Sequence, residues 1–349
     1  MVISLLAAVG ICIIAWGGVT TMGLQYFFGA VLPLAAVLVF LAGVVWRIIG
    51  WAKTPVPFCI TTTGGQQRSL DFIKPSRLDA PYTKVGTFFR MVLEVLLFRS
   101  LFRNTKAQLA DEGRLVYWSS KWLWLFSLLF HYCFLLIFMR HFRFFLEPVP
   151  SCIAALEFVD GIMQIGVPRL FMSDVIILAA LLFLLCRRLF DGRLRYISLP
   201  NDYFPLFLLL GLVISGIFMR YFAKTDVASI KVLTMSLASL SPTIPDGISP
   251  VFFIHLTFFS CLLMYFPFSK LMHMGGIFFS PTRNMPNNSR AIRHINPWNP
   301  KKVYRTYAEY EDEFRDLMAD AGLPLEITPE EAEKAAATQD KAEEATAKE

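Results

Sequence analysis

Six stretches of about twenty mostly apolar residues alternate with polar segments along this chain, at 2–22, 27–49, 121–143, 171–188, 204–223 and 250–272. A helix rises about 1.5 Å per residue, so stretches of this length match the roughly 30 Å hydrocarbon core of a bilayer. The pattern predicts an all-α membrane protein with six transmembrane helices. It divides the chain into an N-terminal transmembrane hairpin (1–50), a polar insertion (51–118), a helical core (119–278) and a polar tail (279–349). A seventh apolar stretch, 85–102, carries Arg90 and Glu94 four residues apart, with Arg99 close behind. Burying those charges in lipid costs several kcal/mol before any pairing, so an interfacial helix is expected there. Were it to span, every orientation upstream of it would reverse.

Composition supports the membrane reading. The 349 residues are 55% hydrophobic and only 17% charged, with a mean hydropathy of +0.52, an apolar excess that a soluble domain has no means to cover. No charged residue occurs between Met1 and Trp46; without a basic leading region the first stretch reads as a retained helix rather than a signal peptide. Lys and Arg gather in alternate loops: ten in 51–118 and four in 187–203, against three each in the loops that follow the third and fifth spans. The positive-inside bias then places both termini and the 51–118 insertion in the cytoplasm of a bacterium, around a multi-pass protein of the cytoplasmic (inner) membrane. Beyond Pro324 the tail holds eight Asp or Glu against three Lys, and from Ile327 onward its Ala/Glu/Lys-rich end lacks aromatic residues, a composition expected to stay disordered. Val303–Ala319 is expected to form a charged helix. The net charge of +6 lies beside the apolar spans, a distribution that speaks for membrane lipid and against nucleic acid as partner.

Against that background four histidines stand out. His131 and His141 lie in one apolar stretch, and His255 and His273 in another; His294 falls in the polar tail. An intramembrane ionisable side chain is costly and marks function by default. Ten residues separate the first pair, about 15 Å of helical rise, and eighteen separate the second, five whole turns that put both on one face about 27 Å apart. On antiparallel helices, matching by depth gives His141 with His255 toward the outer face and His131 with His273 toward the cytoplasm. Two imidazoles at each of two levels are the axial set for two b-type haems. The unequal spacings require tilt or a bend at Pro267. Interhelical hydrogen bonding or a zinc or copper ion are the rival readings, and no carboxylate or cysteine cluster accompanies either pair. Cys12, Cys59, Cys133, Cys152, Cys186 and Cys261 form no paired motif, which argues against covalent haem and against iron–sulfur clusters within the chain.

Cationic residues flank both levels. Arg140, Arg143 and Arg169 lie near the outer pair, where they could hold haem propionates or a quinone carbonyl, or simply anchor at the interface. Lys270, with Lys121 and Arg187, stands at the inner level with the same two options.

The runs WSSKWLWLFSLLFHYCFLLIFMRHFRFFLEPVP (118–150) and HLTFFSCLLMYFPFSKLMHMG (255–275) resemble the dihaem cytochrome b, or gamma, subunit of respiratory nitrate reductase. The resemblance implies a four- to five-helix dihaem bundle in which the four matching histidines bind two haems b in the depth pairing given above. The extra N-terminal helix, the insertion and the acidic tail depart from that subunit. So does the absence of a lysine near Gly161, where that family is expected to serve its quinol. The layout is closer to the cytochrome b subunit of the sulfite-reduction-associated (Dsr) membrane complex. That likeness implies a cytoplasmic iron–sulfur partner similar to heterodisulfide reductase, together with further membrane and periplasmic subunits. The function implied is electron transfer between a quinone pool, menaquinone above all, and that partner in dissimilatory sulfur metabolism. A nitrate reductase gamma subunit, a non-redox membrane anchor and a proton-linked transporter are the alternatives.

Overall fold

The computed structural model describes residues 1–54, 65–110, 113–162, 170–289 and 303–334. Arg169, His294 and Cys59 lie outside the described residues. The chain forms two compact units, Met1–Ile295 and Asn296–Glu349.

In the first unit, α1 (Val2–Thr20) turns through Gly23, at φ +67°, into a π turn over Phe27–Val31 that feeds α2 (Leu32–Ala52). After the insertion come α3 (Lys84–Leu97), the single turn α4 (Arg99–Phe102) and the antiparallel hairpin β1 (Thr105–Leu109) with β2 (Leu115–Ser119), whose register pairs Ala107 with Tyr117. Then follow α5 (Lys121–His141), α6 (Ser151–Ile162), α7 (Met172–Phe190), α8 (Gly192–Ile197), α9 (Pro200–Tyr221), α10 (Val227–Ala238), α11 (Pro250–Tyr265) and the short α12 (His273–Gly276). Among the described residues five helices are long and apolar enough to cross a membrane: Val2–Thr20, Phe27–Ala52, Lys121–Phe144, Pro200–Tyr221 and Pro250–Phe268. The remaining expected span forms α7, whose 19 residues carry Asp174 near one end and Arg187 and Arg188 near the other.

Lipid tails are as apolar as leucine, so helices in a bilayer are held by close packing over small residues and by polar contacts rather than by hydrophobic burial. The seams here follow that rule: α5 lies on α7, α7 on α9, α9 on α11, and α11 on α1 and α2. A methyl group at Gly211 of α9 would lie 2.6 Å from the Phe258 ring of α11, and one at Gly43 of α2 would lie 2.7 Å from Pro267. Ser4 of α1 donates to the Pro200 carbonyl at 2.9 Å.

The last apolar stretch is not the five-turn rod its spacing suggests. The α-helix ends at Tyr265; a 3-10 turn over Phe266–Phe268, an extended Ser269 (φ −114°, ψ 177°) and a second 3-10 turn over Lys270–Met272 lead to His273. Proline has no N–H to continue the ladder and clashes with the preceding turn. Pro267 is fully buried against Gly43, with Phe40 and Trp46 of α2 against Phe266 and Phe268. The break answers the spacing mismatch: ten residues of helix, about 15 Å, separate His255 from Tyr265, and the other eight turn instead of advancing.

The 85–102 stretch also breaks. With 14 residues, α3 rises about 21 Å, short of the hydrocarbon core. Thr83 caps its start by accepting from the Gly86 N–H, and Phe98, at φ +48°, ends it in the left-handed conformation. The terminal carbonyls of a helix need outside donors; here Tyr132 Oη–H serves Leu96 at 2.9 Å and Trp124 Nε1–H serves Leu97 at 2.7 Å, both from α5. The Glu94 carboxylate pairs with Arg283 and accepts from Ser100, by N–H at 3.0 Å and Oγ–H at 2.6 Å. Asp79 receives both Arg99 and Arg103. Burial pushes its carboxyl up, but the hydrogen bonds and charge of those arginines outweigh that and hold it below its ordinary value.

At the other end of α5, a buried polar network ties four helices. Arg140 donates to Asp160 of α6 at 2.5 Å and to Ser173 Oγ of α7 at 3.1 Å, and Ser173 donates to Asp160 through N–H (3.1 Å) and Oγ–H (2.6 Å). Asp174 lies 3.9 Å from Arg140 and accepts from Tyr221 Oη–H of α9 at 2.5 Å; Tyr221 Oη in turn accepts from the Phe171 N–H at 3.0 Å. The Phe171 ring has the guanidinium groups of Arg140 and Arg220 each 4.1 Å from its centre.

In the second unit, α13 (Tyr307–Asp320) opens on a reciprocal cap between Thr306 and Glu309, and the Glu311 carboxylate accepts from the Glu326 and Ile327 N–H groups at 2.9 and 2.8 Å.

Two stability predictions follow from the packing and from the charges. Gly211→Ala should cost roughly 1–3 kcal/mol through overpacking against Phe258. Gly10→Ala, where nothing lies within 4 Å, should leave the melting temperature in detergent unchanged or slightly raised. Asp160→Ala removes the nearest carboxylate from the buried Arg140, which keeps Ser173 and Asp174, and should cost roughly 1–3 kcal/mol, whereas Lys231→Ala, which breaks a partly exposed pair with Glu147, should cost less than about 1 kcal/mol. Thermal unfolding of the four variants side by side reads both contrasts.

Candidate functional site

α5 meets α11 through His141 and His255, and α12 through His131 and His273. The His141 and His255 rings have centroids 6.3 Å apart and planes within 9° of parallel. The His131 and His273 rings have centroids 5.9 Å apart and planes at 84°. The structure therefore brings the four histidines together in the two pairs that depth suggested, ten residues apart on the unbroken α5.

Each ring has its Nδ1 committed. His131 Nδ1 lies 2.7 Å from the Ser127 carbonyl, His141 Nδ1 2.7 Å from the Ile137 carbonyl, and His273 Nδ1 2.9 Å from the Lys270 carbonyl. His255 Nδ1 lies 3.0 Å from Ser215 Oγ of α9. A carbonyl only accepts, so in the first three rings Nδ1 carries the proton and the neutral imidazole keeps its lone pair on Nε2. This is the arrangement that orients a histidine toward a metal. The sequence placed the histidines but not these partners; three are backbone carbonyls three or four residues earlier, which any helix supplies.

The donor set fits a porphyrin iron better than a bare ion. Zinc sites ordinarily draw three or four ligands from the protein, and among the described residues no group of three or more His, Cys, Asp or Glu side chains gathers to hold one. A porphyrin brings four equatorial nitrogens of its own and asks only for axial ligands. Two metal–nitrogen bonds of about 2.0 Å plus the radius of each ring put the centres of two trans imidazoles roughly 6 Å apart, the separation found in both pairs. Aromatic side chains border the rings: Phe98 and Phe130 stand edge-on to His131 at 4.9 and 5.0 Å, and Phe144 lies 5.9 Å from His141. The left-handed Phe98 thus links the end of α3 to the His131–His273 level.

Three of the cationic candidates, Arg140, Arg143 and Lys270, already have carboxylate partners. Arg140 is buried with Asp160, Arg143 pairs with Glu157, and Lys270 reaches Asp202 at 2.6 Å. Arg143 and Lys270 keep 37% and 75% of their side-chain surface exposed, so both retain donors for a further anion, whereas Arg140 at 8% is committed to the helix network. Asp160, Asp174, Tyr221 and Ser215 were not singled out from the sequence. Asp174, an acid opening an apolar stretch, was the available signal; the role of Ser215 depends on which helix faces it.

A family model described as nitrate reductase gamma subunit matches residues 90–291, which include all four paired histidines. A protein of Archaeoglobus fulgidus described as "Hdr-like menaquinol oxidoreductase cytochrome b-like subunit" is 49% identical over 283 residues, covering 79% of this chain and 84% of that protein. One of the same description from Archaeoglobus profundus is 42% identical over 282 residues, covering 79% and 83%. The relatives and the family model together establish that this chain belongs to the nitrate reductase gamma family of membrane cytochromes b.

Proposed function

We propose that the protein is the membrane cytochrome b subunit of a menaquinol-linked oxidoreductase, binding one haem b through His141 and His255 and a second through His131 and His273. The observation that carries this reading is the two opposed imidazole sets, each with ring centres close enough for both to reach one iron and each with Nδ1 already hydrogen-bonded. Haem b, when bound, supplies a one-electron ferric–ferrous couple at each level.

The chain's own residues do the rest. α5 on one side and α11 with α12 on the other fix the ligands on helices rather than loops. Phe98, Phe130 and Phe144 border them with apolar surface. Arg143, with donors left over from Glu157, suits a haem propionate or quinone carbonyl at the His141–His255 level, and Lys270 suits a propionate at the His131–His273 level. Under the positive-inside orientation the first level lies toward the outer face, where menaquinol would give up two electrons and two protons. The second lies toward the cytoplasm, beside the 51–118 insertion. Moving one charge across the field between the two faces is worth about 2.3 kcal/mol per 100 mV, so the direction of flow decides whether the complex builds or spends membrane potential.

The relatives' description as Hdr-like menaquinol oxidoreductase subunits supports a cytoplasmic iron–sulfur partner similar to heterodisulfide reductase, with further subunits of a Dsr-type complex. The extra N-terminal helix, the insertion and the acidic tail are the grounds for reading the complex as one of sulfur metabolism rather than nitrate reduction. The basic segments at the cytoplasmic ends of the spans suit such docking.

Purified protein should show a b-type alpha band in its reduced-minus-oxidised spectrum that resolves into two components by potential. His255→Ala should remove one component and His273→Ala the other; loss of neither would contradict the assignment. The ring angles predict a second signature. By electron paramagnetic resonance, the component lost in His273→Ala, from the near-perpendicular pair, should have the larger maximum g value. The component lost in His255→Ala, from the near-parallel pair, should have the smaller one.

A further inference from the structure

Three of the four histidines give their Nδ1 proton to a carbonyl within three or four residues on their own segment; His255 alone reaches a side chain on another helix. Ser215 Oγ stands 3.0 Å from His255 Nδ1 and 3.0 Å from the Leu212 carbonyl. A hydroxyl has one hydrogen, and the carbonyl can only accept it. With the Ser215 proton directed at the Leu212 carbonyl, which itself also lies within reach of His255, an oxygen lone pair faces His255 Nδ1–H. Ser215 is buried, at 8% exposure, where such a bond is not diluted by water. The next residue completes the seat. At Gly216 a methyl group would lie 3.1 Å from His255 Cε1 and 3.5 Å from Nδ1, so the ring rests directly on the α9 backbone.

We propose that Ser215 and Gly216 are positioning residues for the His141–His255 pair, and that the Ser215 hydroxyl sets the donor strength of His255 toward its iron. The inference rests on the dihaem reading. An imidazole that donates its N–H gains anionic character at the other nitrogen and becomes a stronger ligand to ferric iron, which lowers the reduction potential. The main-chain acceptors of the other three rings cannot be removed by substitution. Ser215 is therefore the point at which one level can be tuned without touching the other. It sits on α9, which contributes none of the four histidines.

The test uses the full chain in membranes, with potentiometric titrations of wild type, Ser215→Ala, Ser215→Thr and Gly216→Ala. Ser215→Ala should retain two b components and raise the potential of one of them, the component that disappears in His255→Ala, while the other stays in place. Ser215→Thr keeps the hydroxyl and should titrate like wild type. Gly216→Ala should weaken or abolish the same component alone. Unmoved potentials, equal shifts of both components, or a Thr variant displaced as far as Ala would overturn the proposal. So would a downward shift in Ser215→Ala, which would mean that the Leu212 carbonyl takes the His255 proton directly. Should Ser215→Ala lose its component altogether, retention in Ser215→Thr supports the role of the hydroxyl, and loss in both contradicts it. A wild type with no b-type haem ends the dihaem reading and this inference together, whereas a wild type with two haems and an inert Ser215→Ala ends this inference alone.

Discussion

An imidazole can offer a metal only one nitrogen, and it does so in a fixed direction only if the other nitrogen's proton has somewhere to go. Here that requirement is met four times, at distances of 2.7 to 3.0 Å. Much of the architecture follows from it. α5 must stay helical through His141 so that the carbonyls of Ser127 and Ile137 lie beneath their rings. α9 must bring a hydroxyl to α11, and close passage at Gly211 and Gly216 is what lets it. The stretch after Tyr265 must turn so that the Lys270 carbonyl and the His273 ring arrive together opposite His131.

The lipid environment limits how this can be done. Charges inside it are tolerated only in company, and the network of Arg140, Asp160, Ser173, Asp174 and Tyr221 keeps a cation and two carboxylates satisfied one residue from His141. A buried network of this kind adds little net stability over an apolar core, yet it is costly to break. Its effect is to fix α5, α6, α7 and α9 in one register, which holds His141 in place. At the other level the terminal carbonyls of α3 are served by Trp124 and Tyr132 of α5, so the insertion is tied to the same helix close to His131.

Long apolar runs marked five helices able to cross a membrane, and the order of the histidines on opposed helices suggested which rings meet, because both depend on period and depth alone. The break after Tyr265 was only half visible. Pro267 announces a weakness, but a kink and a full stop differ by whether a neighbouring helix makes room, and Gly43 of α2 supplies that room from over two hundred positions away. The arginines were ambiguous for a similar reason: Arg140 beside a histidine reads equally as an anion site or an anchor until Asp160 and Ser173 are seen to fold onto it. Ser215 is an ordinary hydroxyl in an apolar run, and only the facing of α9 and α11 makes it a partner for His255. What required three helices at once was not readable from one.

Counting cofactor is the most direct test of the central claim. Extraction of the purified chain with acidified acetone, followed by pyridine haemochrome quantification against protein, should yield two equivalents of non-covalent protohaem per polypeptide. Recovery of none, or of a single equivalent from fully folded protein, would contradict two axial histidine pairs.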